Sequence, residues 1–329
     1  MALKSALMDE VCVVIRRKGY SPNTAKTYRH WCEQFLLWLK AKHGRWVHPR
    51  DSGREGVEEW LTELAVVRNV SPTSQNVALQ AVLFLFREVI RQPLAGVDAL
   101  RARRPQRMPS VLSVPEVSAL FAQLTGQNRL VAQLLYGAGL RIGEAVSLRL
   151  KDLDFDQRQI VVRAAKGAKD RVCQMPKRLI ADLRRQVESA TKFHRQDSAA
   201  GVCRVALPYS FGRKCPAAES SLAWYWLFPS HKLSTCPETK RVGRHHVDES
   251  NFGRSLRVAA VRAKILKRVT PHCLRHSFAT HSLNQGVDIR SLQKLMGHND
   301  VRTTMIYTHV DAVGASSELS PLDRLPEAV

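Results

Sequence analysis

Apolar residues over the first hundred positions recur three or four apart. Leu3, Leu7, Val11 and Val14 share one helical face. Ser21-Pro22 then supplies an N-cap and a proline at the first helical position. Tyr28, Trp31, Phe35 and Trp38 follow on one face until Gly44 ends the pattern. Val57, Trp60, Leu61 and Leu64 predict a third helix. Ser71-Pro72 opens a fourth, with Val77, Ala81, Phe84 and Leu85 inside it. Four such helices can close into a bundle. The aromatic stripe of the second helix reads as core filling rather than as a surface on which bases stack.

The pattern breaks at residues 101–110, RARRPQRMPS, which are basic and hold two prolines. This composition predicts an exposed linker over 101–112, between a helical domain at 1–100 and a second domain at 113–329. Ser113 and Glu116 have the spacing of a capping box, with helices expected over roughly 115–124 and 128–137. Gly137 to Glu144 lead into another helix. Gln159–Arg163 and Arg171–Met175 read as two short strands of a hairpin, with Lys166 and Lys169 near its turn. Helical pattern resumes over 177–195. Residues 197–250 are irregular, rich in Pro, Gly, His and Trp, and form either a long loop or an inserted element. Helices are expected again at 252–266, 271–285, 289–296 and 301–308. There is no internal repeat and no low-complexity tract.

Charge changes this picture. The 329 residues hold 51 Lys and Arg against 29 Asp and Glu, a formal net charge of +22. Such a surplus repels itself unless a polyanion is near, and nucleic acid is the leading partner. A merely solvated basic surface or contact with an anionic membrane would be the blander explanations. Seven cysteines, none in a C-x-x-C pair, argue against a secreted disulfide framework. Cys203, Cys215 and Cys236 stand upstream of His245 and His246, yet zinc ligands come as close pairs and these do not. Residues 1–18 lack the continuous apolar core of a signal peptide, and no apolar stretch reaches membrane-spanning length.

Three segments carry candidate chemistry. Thr270-Pro271 opens a helix whose His272 and Arg275 share a face near the first turn, where free backbone N–H groups favour a phosphate. A guanidinium beside an imidazole suits a phosphoryl group, although either residue alone is more often a cap or a surface charge. Gly137 to Glu144 fail the dinucleotide-binding pattern because Ile142 stands where the third glycine belongs. Instead Arg141 sits near a helix start, with Glu144 placed to steady the helix or the arginine. Gly297 suits the left-handed position after a helix, which would present His298 in a defined place. Tyr307 follows nine residues later, and taken alone reads as a core tyrosine.

Together these segments, GLRIGE at 139–144, LRHSFATH at 274–281 and LMGHNDVRTTMIYTH at 295–309, resemble the active-site motifs of the tyrosine recombinases. The resemblance covers essentially the whole chain, including the helical first domain. It implies a mainly α fold: an N-terminal helical bundle (a SAM-like core-binding domain) and a mostly α catalytic domain with a small β-hairpin or sheet, together forming a C-shaped clamp on DNA. It implies catalytic roles for Arg141, Lys166, His272, Arg275, His298 and Tyr307. Tyr307 would attack the scissile phosphate, and Arg141, Arg275 and His298 would stabilise the crowded phosphorus. Lys166, with Lys169 as its competitor, would protonate the leaving hydroxyl. His272 would serve as acid–base on the tyrosine side. The link stores the bond energy, so no cofactor, metal or ATP is implied.

A narrower resemblance, to the integron integrases, rests on VALPYSFGRKCPAAESSLAWYWLFPS at 205–230, GRHHVDESNF at 243–252, TTMIYTHV and the SPLD near 320. It implies an insert at about 201–250. It also implies recombination of a duplex attI-like site with a folded single-stranded attC-like hairpin, by a homotetramer in a bacterial cytoplasm. Trp224, Pro237, His245 and His246 would stack on extrahelical bases of that hairpin. Trp226 could take the place of Trp224. The alternatives are a phage- or Xer-type recombinase acting on duplex sites, or a basic DNA-binding protein without activity.

Overall fold

The computed structural model describes residues 6–96, 110–163, 170–207, 211–236, 240–298, 300–305 and 307. Lys166, Lys169 and Pro237 lie outside the described residues, as does most of the proposed linker. The chain divides into two compact units, Met1–Arg107 and Met108–Val329.

The first unit is built from helices α1 (Ala6–Arg17), α2 (Pro22–His43), α3 (Pro49–Val66) and α4 (Pro72–Phe84). Ser21 and Ser71 cap α2 and α4 by accepting from the backbone of Thr24 and Ser74, with proline at the first helical position in each. Gly44 ends α2 in the left-handed conformation. Phe35, Trp38, Trp60, Leu64 and Phe84 fill the shared core, with Tyr28 and Trp31 packed at its edge. The aromatic stripe is therefore core. One feature departs from the expected pattern. After Phe84 the helix widens into a π-turn, Leu85–Ile90, which ends at Arg91 in the left-handed region. The π-turn buries Leu85, Phe86, Val89 and Ile90 together.

The second unit begins with α5 (Val114–Ala122), closed by the Ser113–Glu116 capping box, then α6 (Gly126–Gly137) and the short α7 (Ile142–Val146). A three-stranded antiparallel sheet follows in the order β1 (Leu153–Asp154), β2 (Gln159–Val162) and β3 (Arg171–Gln174), with Ile160 opposite Cys173. The hairpin was legible. The two-residue edge strand β1 was not, because so short a run shows no alternation. Next come α8 (Ile180–Ala199) and a short helix α9 (Phe211–Lys214). The hairpin of β4 (Pro229–Thr235) and β5 (Val242–His246) then leads into α10 (Glu249–Arg262). The chain continues through α11 (Pro271–Asn284), α12 (Ile289–Met296) and α13 (Arg302–Met305). A large core joins Leu120, Leu134, Leu140, Val146, Ile160, Phe228, Phe252 and Leu274.

Among the described residues of 197–250, Cys203, Val205, Tyr225 and Trp226 form a small core together with Ala190 of α8. Among the described residues no helix is long and apolar enough to cross a membrane.

Candidate active site

The site is assembled where the α6–α7 junction, the start of β3, helix α11 and the turn after α12 meet. Gly139 stands at φ +63°, and a Cβ there would collide with the Phe278 ring, so only glycine lets the chain pass. Its carbonyl accepts a hydrogen bond from Arg275 Nη1. Two residues on, Arg141 is the N-cap of α7. The Glu144 carboxylate accepts from the Arg141 backbone N–H and from Arg141 Nη1, both at 2.8 Å. It thus steadies both the helix start and the arginine.

Glu144 is also the partner of Arg171 at the start of β3. Arg171 Nη1 and Nη2 donate to its two oxygens at 2.8 and 2.6 Å. Arg275 Nη1 lies 3.9 Å from the same carboxylate. Burial works to raise the Glu144 pKa. The hydrogen bonds from Arg171 and the Arg141 backbone outweigh it and hold the carboxyl down to about 2. Three guanidinium groups thus surround one carboxylate, leaving local positive charge for an anion. Burial pushes Arg275 down to about 10, which keeps it charged at neutral pH.

Helix α11 is launched by Thr270, whose hydroxyl accepts from the Cys273 N–H, with Pro271 at the first helical position. Arg275 is 4% exposed. Its Nη2 reaches the Met296 carbonyl and His298 Nε2, the latter at 3.1 Å. Gly297, at φ +60°, turns the chain after α12, and its carbonyl accepts from Arg141 Nη2 at 3.2 Å. That turn delivers His298. Because Arg275 donates to Nε2, the His298 proton sits on Nδ1 and is donated to Thr304 Oγ1, 2.9 Å away. Burial and the neighbouring arginines push His298 down to about 4, so its ring is neutral.

Tyr307 was expected late in a helix over 301–308. The helix is shorter, and Tyr307 lies in the turn beyond it. The side chain is 3% exposed, its ring nearly parallel to that of His298 with centroids 6.4 Å apart. Burial raises its hydroxyl pKa, against the opposing charges of Arg275 and Arg141. The hydroxyl is 2.8 Å from His276 Nδ1. The His272 ring stands one turn earlier on α11, its centroid 6.4 Å from that of His276. Burial and the charges of Arg275 and Arg141 push His272 below the ordinary imidazole value.

The structure therefore gathers Arg141, Arg275, His298 and Tyr307 into one connected cluster, with His272 on the adjoining helical face. Sequence reasoning missed Arg171 and His276. His276 had a detectable signal, since it lies four residues after His272 on the same face. Arg171 had none, because its pairing with Glu144 depends on how β3 meets α7.

The candidates between 201 and 250 stand apart from this cluster. Trp226 is buried, donates from Nε1 to the Arg244 carbonyl at 3.1 Å, and has the Arg149 guanidinium 4.0 Å from its ring. Trp226 is therefore a core residue. Trp224 is half-buried, packed on Phe211 at 4.8 Å between ring centroids, with Lys151 Nζ 3.2 Å from its ring. His245 is exposed, and its ring lies 4.0 Å from that of the half-buried His246. Burial pushes His246 down to about 4. The hairpin is tied to α8 by Arg244, which donates to both Asp197 oxygens at 2.7 and 2.8 Å. Tyr225 donates to the same carboxylate at 2.5 Å.

Known proteins share this organisation. Residues 110–313 match the phage integrase family, and residues 7–95 match the phage integrase N-terminal SAM-like domain. An integrase/recombinase of Escherichia coli is 43% identical over 97% of this chain and 94% of its own length. The tyrosine recombinase XerA of Thermococcus kodakarensis is 32% identical over 94% of this chain and 93% of its own. In fold, the chain resembles the Tn1549 transposon integrase solved with a circular intermediate DNA. That match has a TM-score of 0.60 at 18% identity, over 92% of this chain and 94% of that one. The chain belongs to the phage integrase family and is a site-specific tyrosine recombinase.

Proposed function

We propose that the protein is an integron integrase, which cleaves and rejoins DNA through a 3′-phosphotyrosyl bond to Tyr307. DNA is the partner that suits a net charge of +22, and the Tn1549 integrase of the same fold was solved on DNA. The observation that carries the chemistry is the cluster of Arg141, Arg275 and His298 around the buried Tyr307. Tyr307 attacks the scissile phosphate, splitting one difficult transfer into two easier steps. Arg141 and Arg275 bind the non-bridging oxygens and stabilise the phosphorane, with His298 as a further donor. For His298 to donate there, Arg275 must release Nε2. An arriving phosphate competes for that guanidinium and adds the negative charge that favours a protonated imidazole. Lys166, with Lys169 nearby in the sequence, protonates the leaving O5′. The reaction calls for no cofactor.

The substrate reading rests on the segment at 201–250, a folded hairpin element tethered to α8. Trp224, His245 and His246, with Pro237 between them in the sequence, are the candidate surfaces for extrahelical bases. Trp224 already carries Lys151 on its ring, so a base stacking there takes the place of an ammonium group. The partners are then a duplex attI-like site and a folded single-stranded attC-like hairpin, joined by a homotetramer. Gel-shift binding to labelled attC strands, folded or annealed to their complements, tests this. At least tenfold tighter binding to the folded strand is expected, falling on Trp224→Ala. Equal or tighter binding to the duplex would leave a Xer-type recombinase acting on duplex sites.

A further inference from the structure

The group in contact with the nucleophile is not the histidine that the motif pattern favours. Tyr307 is buried, so its hydroxyl proton needs an acceptor, and leaving such a donor unpaired is costly. The His276 ring supplies one, with Nδ1 2.8 Å from the phenolic oxygen. His272 is one helical turn away. We propose that His276, rather than His272, takes the phenolic proton when Tyr307 attacks and returns it when the strand is rejoined. This rests on Tyr307 being the nucleophile.

The proton inventory closes. As the Tyr307 oxygen–phosphorus bond forms, the O–H bond breaks and its proton passes to His276 Nδ1. The phosphorus–O5′ bond breaks at the same time, and O5′ takes a proton from the leaving-group side of the site. Rejoining reverses each transfer, so His276 ends as it began.

At rest the ring is free to accept a proton. Burial beside His272 and Arg275 pushes the His276 imidazole down to about 4, so at neutral pH it is uncharged and has a lone pair to offer. A tyrosine O–H that burial keeps protonated then donates to Nδ1, placing the ring proton on Nε2. The charged and titratable groups facing the pair are His272 and Arg275 from α11, Arg141 from the α6–α7 junction and His298 from the turn after α12. A phosphate bound between the two arginines adds a negative charge, which raises the basicity of the imidazole as transfer begins.

The test uses the full chain, with labelled attC hairpins and attI duplexes as probes. It compares wild type, His276→Ala, His276→Asn and His272→Ala. Gel shift measures DNA binding, and single-turnover formation of the covalent complex is followed from pH 6 to 9. His276→Ala is expected to bind DNA as wild type does and to react about 100-fold slower at pH 7. Its rate should climb nearly tenfold per pH unit, as solvent supplies the tyrosinate that the histidine no longer generates. His276→Asn keeps a polar atom near the phenol but takes no proton, so it should be equally slow. Wild-type speed in either His276 variant overturns the proposal, as does the pH slope appearing in His272→Ala instead. If both His276 variants lose DNA binding, the residue is structural and the proposal falls. Absence of capture by wild type itself is a different failure, since it removes Tyr307 as nucleophile.

Discussion

Glu144 holds the arginines of the site at their working distances. One carboxylate accepts from the Arg141 backbone, the Arg141 side chain and both terminal nitrogens of Arg171, with Arg275 close by. Its side chain is 9% exposed. Removing one partner of such a buried pair leaves charge uncompensated, at a cost of about 3 kcal/mol. Glu144→Gln is therefore expected to destabilise the fold by about that amount at neutral pH. The sign of the pH dependence follows from a folded-state pKa held down to about 2 against an ordinary 4.5. The stabilisation by Glu144 is fully present above pH 4.5 and is lost as pH falls toward 2. The gap between wild type and Glu144→Gln in denaturant unfolding should narrow across that window. A gap unchanged from pH 5 to pH 2.5 would contradict the assignment. At this scale the sequence was legible where spacing alone fixes geometry. Glu144 lies three residues from Arg141 on a helix start, and His272 and Arg275 share a helical face. Arg171 and His276 act through contacts 27 and 31 residues away along the chain, which no local spacing records.

At the scale of elements, the helices announced themselves through caps, as at Ser21, Ser71, Ser113 and Thr270. The hairpin of β4 and β5 did not. β4 and β5 expose most of their residues and carry few alternating apolar positions, so they look like loop. Their position is set instead by the buried group of Asp197, Arg244 and Tyr225, of which Asp197 is 2% exposed. Asp197→Ala leaves the buried Arg244 without its carboxylate partner, and should cost about 3–5 kcal/mol in the second unit. Because the group ties the hairpin to α8, limited proteolysis should cut the variant first within 201–250. Preferential cleavage elsewhere, with the insert left intact, would show that the hairpin is held by other contacts. The π-turn at Leu85–Ile90 was equally hidden, since an apolar run does not reveal which helical pitch will bury it.

At the scale of the whole molecule, a charge of +22 and two units, one helical and one mixed, frame a single reaction on DNA. The composition pointed to a polyanion but could not say what is done to it. That came from three motifs spread along the chain from Gly139 to Tyr307, which the fold draws into one cluster. Among the described residues, His276 and His298, with Arg141 and Arg275, neighbour the buried Tyr307. The proposed chemistry depends on that tyrosine. Its most direct test is denaturing electrophoresis of the protein and its Tyr307→Phe variant after incubation with labelled attC hairpin and attI duplex DNA. A covalent protein–DNA band is expected for the wild type and is lost in the variant while DNA binding is kept. A covalent band that persists in Tyr307→Phe would contradict the proposed chemistry.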